Sequence, residues 1–353
     1  ELDKASGVWS LNEQIDALDE GTWPKRTASI DYMVVAGGAS GGGGGGYYGG
    51  GGGAGGYRAS GFGPSPLQGS ALELGLGSFP ITVGAGGAQV SACYNSAGNN
   101  GSNSVFATIT STGGGAGNGG GAGAAGGSGG GAVSNSTSGG AGNTPPTDPP
   151  QGNPGGNAAS GNQNCNAGGG GGGATAAGAN VSRSGGPGTG GVSTAGAGGA
   201  GAPNNILGSS TTYAGGGGGG VSLWPPGPGG NSPSHTAGDG GAGGGGDGGS
   251  KGPAGGRVAT AGTANTGGGG GGSGGPPCAG RAGGSGIVIA RSPSGGGVFF
   301  TTCSACAPVS SLDGVDQIAE IKASTNLNIL DTGGGVAADY LVIAGGGAGQ
   351  GDS

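Results

Sequence analysis

The segment Asp31–Arg58, DYMVVAGGASGGGGGGYYGGGGGAGGYR, drives a short apolar run, Tyr32 to Ala36, straight into two nearly pure glycine runs, Gly41–Gly46 and Gly49–Gly53. Runs of the same kind recur at Gly168–Gly173, Gly215–Gly220, Gly243–Gly246 and Gly267–Gly272, and glycine supplies 110 of the 353 residues. Glycine loses the most backbone freedom on folding and has no side chain to bury. A chain that keeps so much of it is either a flexible linker or a protein that packs through its bare backbone. One conformation suits the second: an extended left-handed threefold helix, rising about 3.1 Å per residue, whose amides and carbonyls point outward. Such helices laid side by side exchange N–H···O=C bonds in several directions, with weak Cα–H···O contacts added. The expected class is therefore mostly non-regular or β: a glycine-rich polyglycine II helix bundle with short flanking β-strands and small helical caps.

Low charge separates this chain from an ordinary disordered one, which is usually highly charged; only 8% of its residues are Asp, Glu, Lys or Arg. Its apolar residues also gather beside the glycine runs. Collagen is excluded because no Gly-X-Y period persists. No run of about 18 apolar residues exists, so no membrane-spanning helix is expected. The opening Glu1-Leu2-Asp3-Lys4 lacks the basic and apolar regions of a signal peptide. A net charge of −7 argues against nucleic acid as a partner, since phosphate binding needs clustered Lys and Arg.

Along the chain, four parts are expected. Residues 1–30 form an N-terminal cap, in which Ser10-Leu11-Asn12-Glu13 reads as a capping box and Leu11, Ile15 and Leu18 share one face of a short helix. Trp9 and Trp23 flank that helix. Residues 31–291 form the glycine-rich domain. Within it Ile30–Ala36, Phe79–Val83, Val105–Thr110 and Gly286–Arg291 read as strands that pair into a small sheet. Residues 292–338 read as a linker with a short amphipathic helix over 312–324. Residues 339–353 restart the opening phrase, Asp339–Gly346 echoing Asp31–Gly38. Tyr340, Leu341, Val342 and Ile343 are thus the start of a second repeat or an assembly strand, an apolar edge suited to pairing with another copy.

Between the strands, glycine runs alternate with Pro- and Asn-rich inserts that reverse the chain. Recognition tends to sit in such inserts, and Tyr47, Tyr48, Tyr213, Trp224 and His235 are the receptor-binding candidates among them. Nothing points to catalysis. A G-x-G-x-x-G match is trivial here without a βαβ unit. The single imidazole, His235, has Asp239 nearby but no nucleophile elbow. Asp239 and Asp247 read as solvated turns rather than calcium ligands. Cys93, Cys165 and Cys278 lie in loop-like contexts, and the lone C-x-x-C of Cys303 and Cys306 lacks the partners a zinc site needs. No metal and no cofactor is expected.

DYMVVAGG at 31–38, the GGAGGYR that ends at Arg58, FPITVGAGG at 79–87 and GGSGIVIAR at 283–291 together resemble the glycine-rich domains of tailed-bacteriophage tail proteins, including receptor-binding tail-fibre adhesins. GVWSLNEQ at 7–14 and GTWP at 21–24 add to the likeness. The resemblance implies a polyglycine II sandwich whose inter-helix loops touch a host cell-surface glycan or protein. It also implies other virion tail proteins, or copies of the chain itself, as partners, and a place on the virion tail or outside the cell. The alternative expectation is a structural subunit of a self-assembling extracellular filament joined through residues 339–353.

Overall fold

In the computed structural model the residues described are 11–20, 27–44, 48–91, 96–133, 137–159, 167–184, 192–222, 235–251, 256–275, 279–293, 297–302, 309–312 and 316–331. In chain order the regular elements are α1 (Leu11–Asp19), β1 (Thr27–Val35), β2 (Tyr57–Ala59), β3 (Leu72–Gly75), β4 (Gly77–Thr82), β5 (Ser104–Phe106), β6 (Ile109–Ser111), β7 (Ser182–Ser184) and β8 (Val192–Thr194). They continue with β9 (Ala202–Asn204), β10 (Thr211–Tyr213), β11 (Ile287–Ser292), β12 (Val298–Thr301), β13 (Val309–Leu312), β14 (Asp316–Ile321) and β15 (Thr325–Asp331).

Two antiparallel sheets dominate. The first runs β13-β14-β11-β1-β2, with β3 pairing the early half of β1; the second runs β12-β15-β4-β5-β6. β1 is their centre. Asp31 to Val35 lie opposite Arg291 to Ile287 of β11, while Thr27 to Ile30 lie opposite Gly75 to Leu72 of β3. Period-two alternation then sorts the side chains of β1 onto two faces. Ala28, Ile30, Tyr32 and Val34 meet Ile81, Phe106, Phe300, Leu327 and Ile329 of the second sheet in one core. Met33 and Val35 point the other way, into a second core with Tyr57, Ile206, Tyr213, Ile287, Ile289 and Ile318. Each large aliphatic side chain closed off in this way contributes about 1.5–3 kcal/mol.

This overturns the expected fold class. The regular structure is antiparallel β-sheet with one nine-residue α-helix, not a polyglycine II helix bundle with helical caps. The apolar flanks are what build it. They alternate, so they form sheets with two faces to cover, and covering both makes a sandwich. The helix expected over 312–324 is likewise absent: Asp316–Ile321 is β14, paired with β11 and β13. Its Ile318 enters one core while Ala319 and Ile321 enter the other. A strand buried on both faces shows no clean alternation, and its apolar positions also fit a helical stripe. Residues 298–331 therefore supply strands to both sheets. The strands expected at 30–36, 79–83, 105–110 and 286–291 are present as β1, β4, β5 with β6, and β11, divided between the two sheets instead of gathered in one. The helix expected near the start is α1, but Ile15 is 46% exposed and Ala17 is buried instead. Ser10, Trp9, Trp23 and the side chains of Leu11 and Leu18 lie outside the described residues.

Among the described residues the glycine runs carry no helix or strand, only an isolated bridge from Gly43 to Ser96. They are segments tied sideways by backbone hydrogen bonds that change partner at each residue. Gly51 N–H donates to Gly169 at 3.0 Å, Gly52 to Gly270 at 2.8 Å and Gly53 to Gly115 at 2.9 Å; Ala54 then returns to the first partner run at Gly172, 3.0 Å. The carbonyls of Gly51, Gly52 and Gly53 accept from Gly131, Gly217 and Ala39 in turn. Buried peptide groups need partners, and here other peptide groups supply them. The approach is too close for side chains: a Cβ on Gly51 would stand 2.0 Å from the Gly217 carbonyl oxygen. The runs start beside β2 and β11 and lead away from the sandwich. A small third core of Ala167, Val181, Ala195, Val221 and Ala237 closes the far end.

Candidate functional site

Several turns of the chain meet at that far end, while the insert over 202–214 packs into the second core. Gly49 donates to Ser273, Gly220 donates to Gly49, and Val221 bridges to both Ala167 and Ser250. These contacts put five separate segments of the chain at one level. The β7–β8 hairpin joins them, with Thr194 paired to Thr236.

Two concavities open among these turns. One, of about 510 Å³, is lined by Thr137, Ser138, Asn157, Asn180, Val181 and Arg183, with Ala158 and Ala159. Its walls are held by backbone and amide bonds: Asn157 N–H donates to Asn180 Oδ1 at 2.7 Å, and Val181 N–H to the Asn157 carbonyl at 3.0 Å. Arg183 reaches in from β7, and its Nε is buried with no hydrogen-bond partner among the described residues. The second, of about 100 Å³, lies between Lys251, Arg257 and Arg281. Arg183, Lys251, Arg257 and Arg281 are the cations between Arg58 and Arg291 in the sequence. All four line one or other of these concavities. The nearly neutral glycine region thus keeps its positive charge in two places at one end.

The expected receptor-binding residues divide. His235 lies at the far end, half-buried, its Nδ1 accepting the Ser193 N–H at 2.8 Å. Burial lowers its pKa, and the nearby Arg183 charge acts in the same direction. Tyr48 is half-buried beside Gly44. Tyr213 sits at the opposite end of its glycine run, 4% exposed, as part of the second core. Its phenol pKa is raised, chiefly by burial. Tyr47 and Trp224 lie outside the described residues, as do Cys93, Cys165, Cys278, Cys303 and Cys306 and the strand Tyr340, Leu341, Val342 and Ile343.

Asp239 and Asp247 have local partners. Asp239 pairs with Arg257, and Asp247 Oδ1 accepts the Gly240 N–H at 2.8 Å. Among the described residues no group of three or more His, Cys, Asp or Glu is placed to hold a metal ion, and no helix is long and apolar enough to cross a membrane. Sequence reading passed over Asn157, Asn180, Arg183, Lys251, Arg257 and Arg281. The usable signal for the cations was scarcity, since so few break so long a neutral stretch.

A family model described as a glycine-rich domain matches residues 17–293. The chain belongs to that family of glycine-rich domains. No curated protein and no solved structure matches it.

Proposed function

We propose that this chain is a structural and receptor-binding part of a phage tail fibre, which holds its far-end turns out to a host cell-surface glycan or protein. Such a part works on the virion tail or otherwise outside the cell, beside other tail proteins or copies of itself. The observation that carries the reading is the polar groove of Asn157, Asn180 and Arg183, set on a backbone-bonded scaffold beside the small third core, at the end away from the two larger hydrophobic cores. Amide and guanidinium donors there suit the hydroxyls and ring oxygens of a glycan. A concavity of this volume falls within the usual range for a small ligand, about 300–1,000 Å³. No feature of it calls for catalysis.

The test is attachment of the fluorescently labelled full chain to a panel of bacterial cells. Saturable binding to a subset is expected, weakened about tenfold by Asn180→Ala together with Arg183→Gln, measured well below the melting temperature because Asn180→Ala also removes the acceptor of the Asn157 N–H. Failure to bind any cell of the panel, or binding unaltered by the double substitution, would refute the reading.

A further inference from the structure

The smaller cavity has the make-up of an anion site. Lys251 and Arg257, from the two arms of one turn, and Arg281, from another, converge on it, with walls of Gly249, Ser250, Gly256, Gly274 and Gly275. Arg257 is committed elsewhere: its Nε donates to the Gly248 carbonyl at 2.8 Å, and its terminal nitrogens bond Gly238 and Asp239. These bonds fix it and let Asp239 offset one of the three positive charges. Arg281 differs. Its Nη1 reaches Gln89 Oε1 only at 3.5 Å, and its Nε is buried with no partner among the described residues. A guanidinium so sparsely paired is costly, and an oxyanion in the cavity supplies an acceptor for its terminal nitrogens.

We propose that this cavity binds the carboxylate of an acidic saccharide, with the Arg281 guanidinium as the principal donor group and Lys251 as the second positive charge. The volume of about 100 Å³ admits a carboxylate but not a whole sugar ring, so the ring stays at the mouth. Val258 lies there, 61% exposed, as a platform for the C–H face of a sugar. The remaining walls are main chain, Ser250 and Ser273, which hydrogen-bond to hydroxyls, with the small methyl groups of Ala259 and Ala279 between them. The site stands on its own residues; as the chemistry of a receptor it rests on the adhesion reading above.

The experiment follows the Arg281 Nε–H resonance of the full chain by NMR during titration with glucuronate, glucose, acetate, inorganic phosphate and N-acetylglutamate. Glucuronate should shift it saturably, and glucose should not. Arg281→Gln should weaken glucuronate binding, followed by calorimetry, about tenfold or more, whereas Arg183→Gln should leave it unchanged. Equal binding of glucose, or an Arg281→Gln protein within about twofold of the parent, would overturn the proposal. Acetate, phosphate or N-acetylglutamate binding as tightly as glucuronate would overturn its saccharide part. Cell attachment without glucuronate binding sinks this inference alone; glucuronate binding without cell attachment sinks the adhesion reading alone.

Discussion

Gly217 and Gly270 meet backbone to backbone: a Cβ built on Gly217 would stand 2.2 Å from the Gly270 carbonyl oxygen. The Gly217 N–H is meanwhile bonded to Gly52 at 2.9 Å, so the segment cannot slide aside without breaking its ties. Gly217→Val should cost about 3 kcal/mol or more, at the upper end for overpacking. Gly61→Ala is the control, because a Cβ added at Gly61 would meet nothing within 4 Å. Thermal melts of the two variants check the contrast; equal melting would mean that the glycine runs part easily.

Tyr57 is fully buried, and its phenol oxygen accepts from Asn204 Nδ2 at 2.7 Å, which ties β2 to β9. Burial, only partly offset by that hydrogen bond, pushes its pKa up to about 12. Tyr57→Phe leaves the amide of Asn204 without its acceptor and should cost about 1–3 kcal/mol. In a spectrophotometric titration of the parent, one late-ionising phenol should vanish in Tyr57→Phe.

Arg291 joins the first sheet to the loops that cover it. Its Nε donates to Asp316 Oδ2 at 3.1 Å, its Nη1 donates to the Ile206 carbonyl at 3.0 Å, and its guanidinium lies 4.7 Å from the Phe62 ring centre. Arg291→Ala should destabilise by about 3 kcal/mol, since it removes the ion pair with Asp316, the bond to Ile206 and the ring contact together. Asp316→Ala should cost less, since Arg291 keeps its other contacts. A double-mutant cycle in denaturant measures the coupling.

His235 predicts a pH dependence. Its pKa in the folded chain lies below the ordinary value, chiefly through burial, and its Nδ1 must stay unprotonated to accept from Ser193. Below about 6.5 the unfolded chain takes up a proton that the folded chain resists. Stability should therefore fall as pH drops from about 6.5 toward the folded-state value, and be fully present above that window. Melting temperatures across pH, compared with His235→Gln, should show the parent losing more on acidification.

Much of the sandwich is legible in the sequence because β1, β4 and β11 are β-branched runs bounded by glycine. β14 is not, because Ile318, Ala319 and Ile321 are divided between two cores and leave no empty face to mark the period. The glycine runs drew the fold class toward a helical bundle, although the cores lie in their flanks. At the site, the aromatic candidates divide: Tyr48 is half-buried, Tyr213 packs into the second core, and Tyr47 and Trp224 lie outside the described residues. Tyr213 is large and follows an insert, yet it packs inside, since the sheet needs cover more than the surface needs a ligand. Arg281 and Lys251 stand alone in neutral sequence, and their convergence exists only after distant turns meet.

The lateral bonding of Gly49–Gly56 buries amides and carbonyls in place of hydrocarbon. Exposing apolar surface raises the heat capacity on unfolding, and exposing peptide surface lowers it. A protein built largely on the second kind of burial should unfold with a heat-capacity change below the usual ~12–15 cal/mol/K per residue. Its stability curve is then broad and shallow. The scaffold holds its shape almost as well in the cold as in the warm.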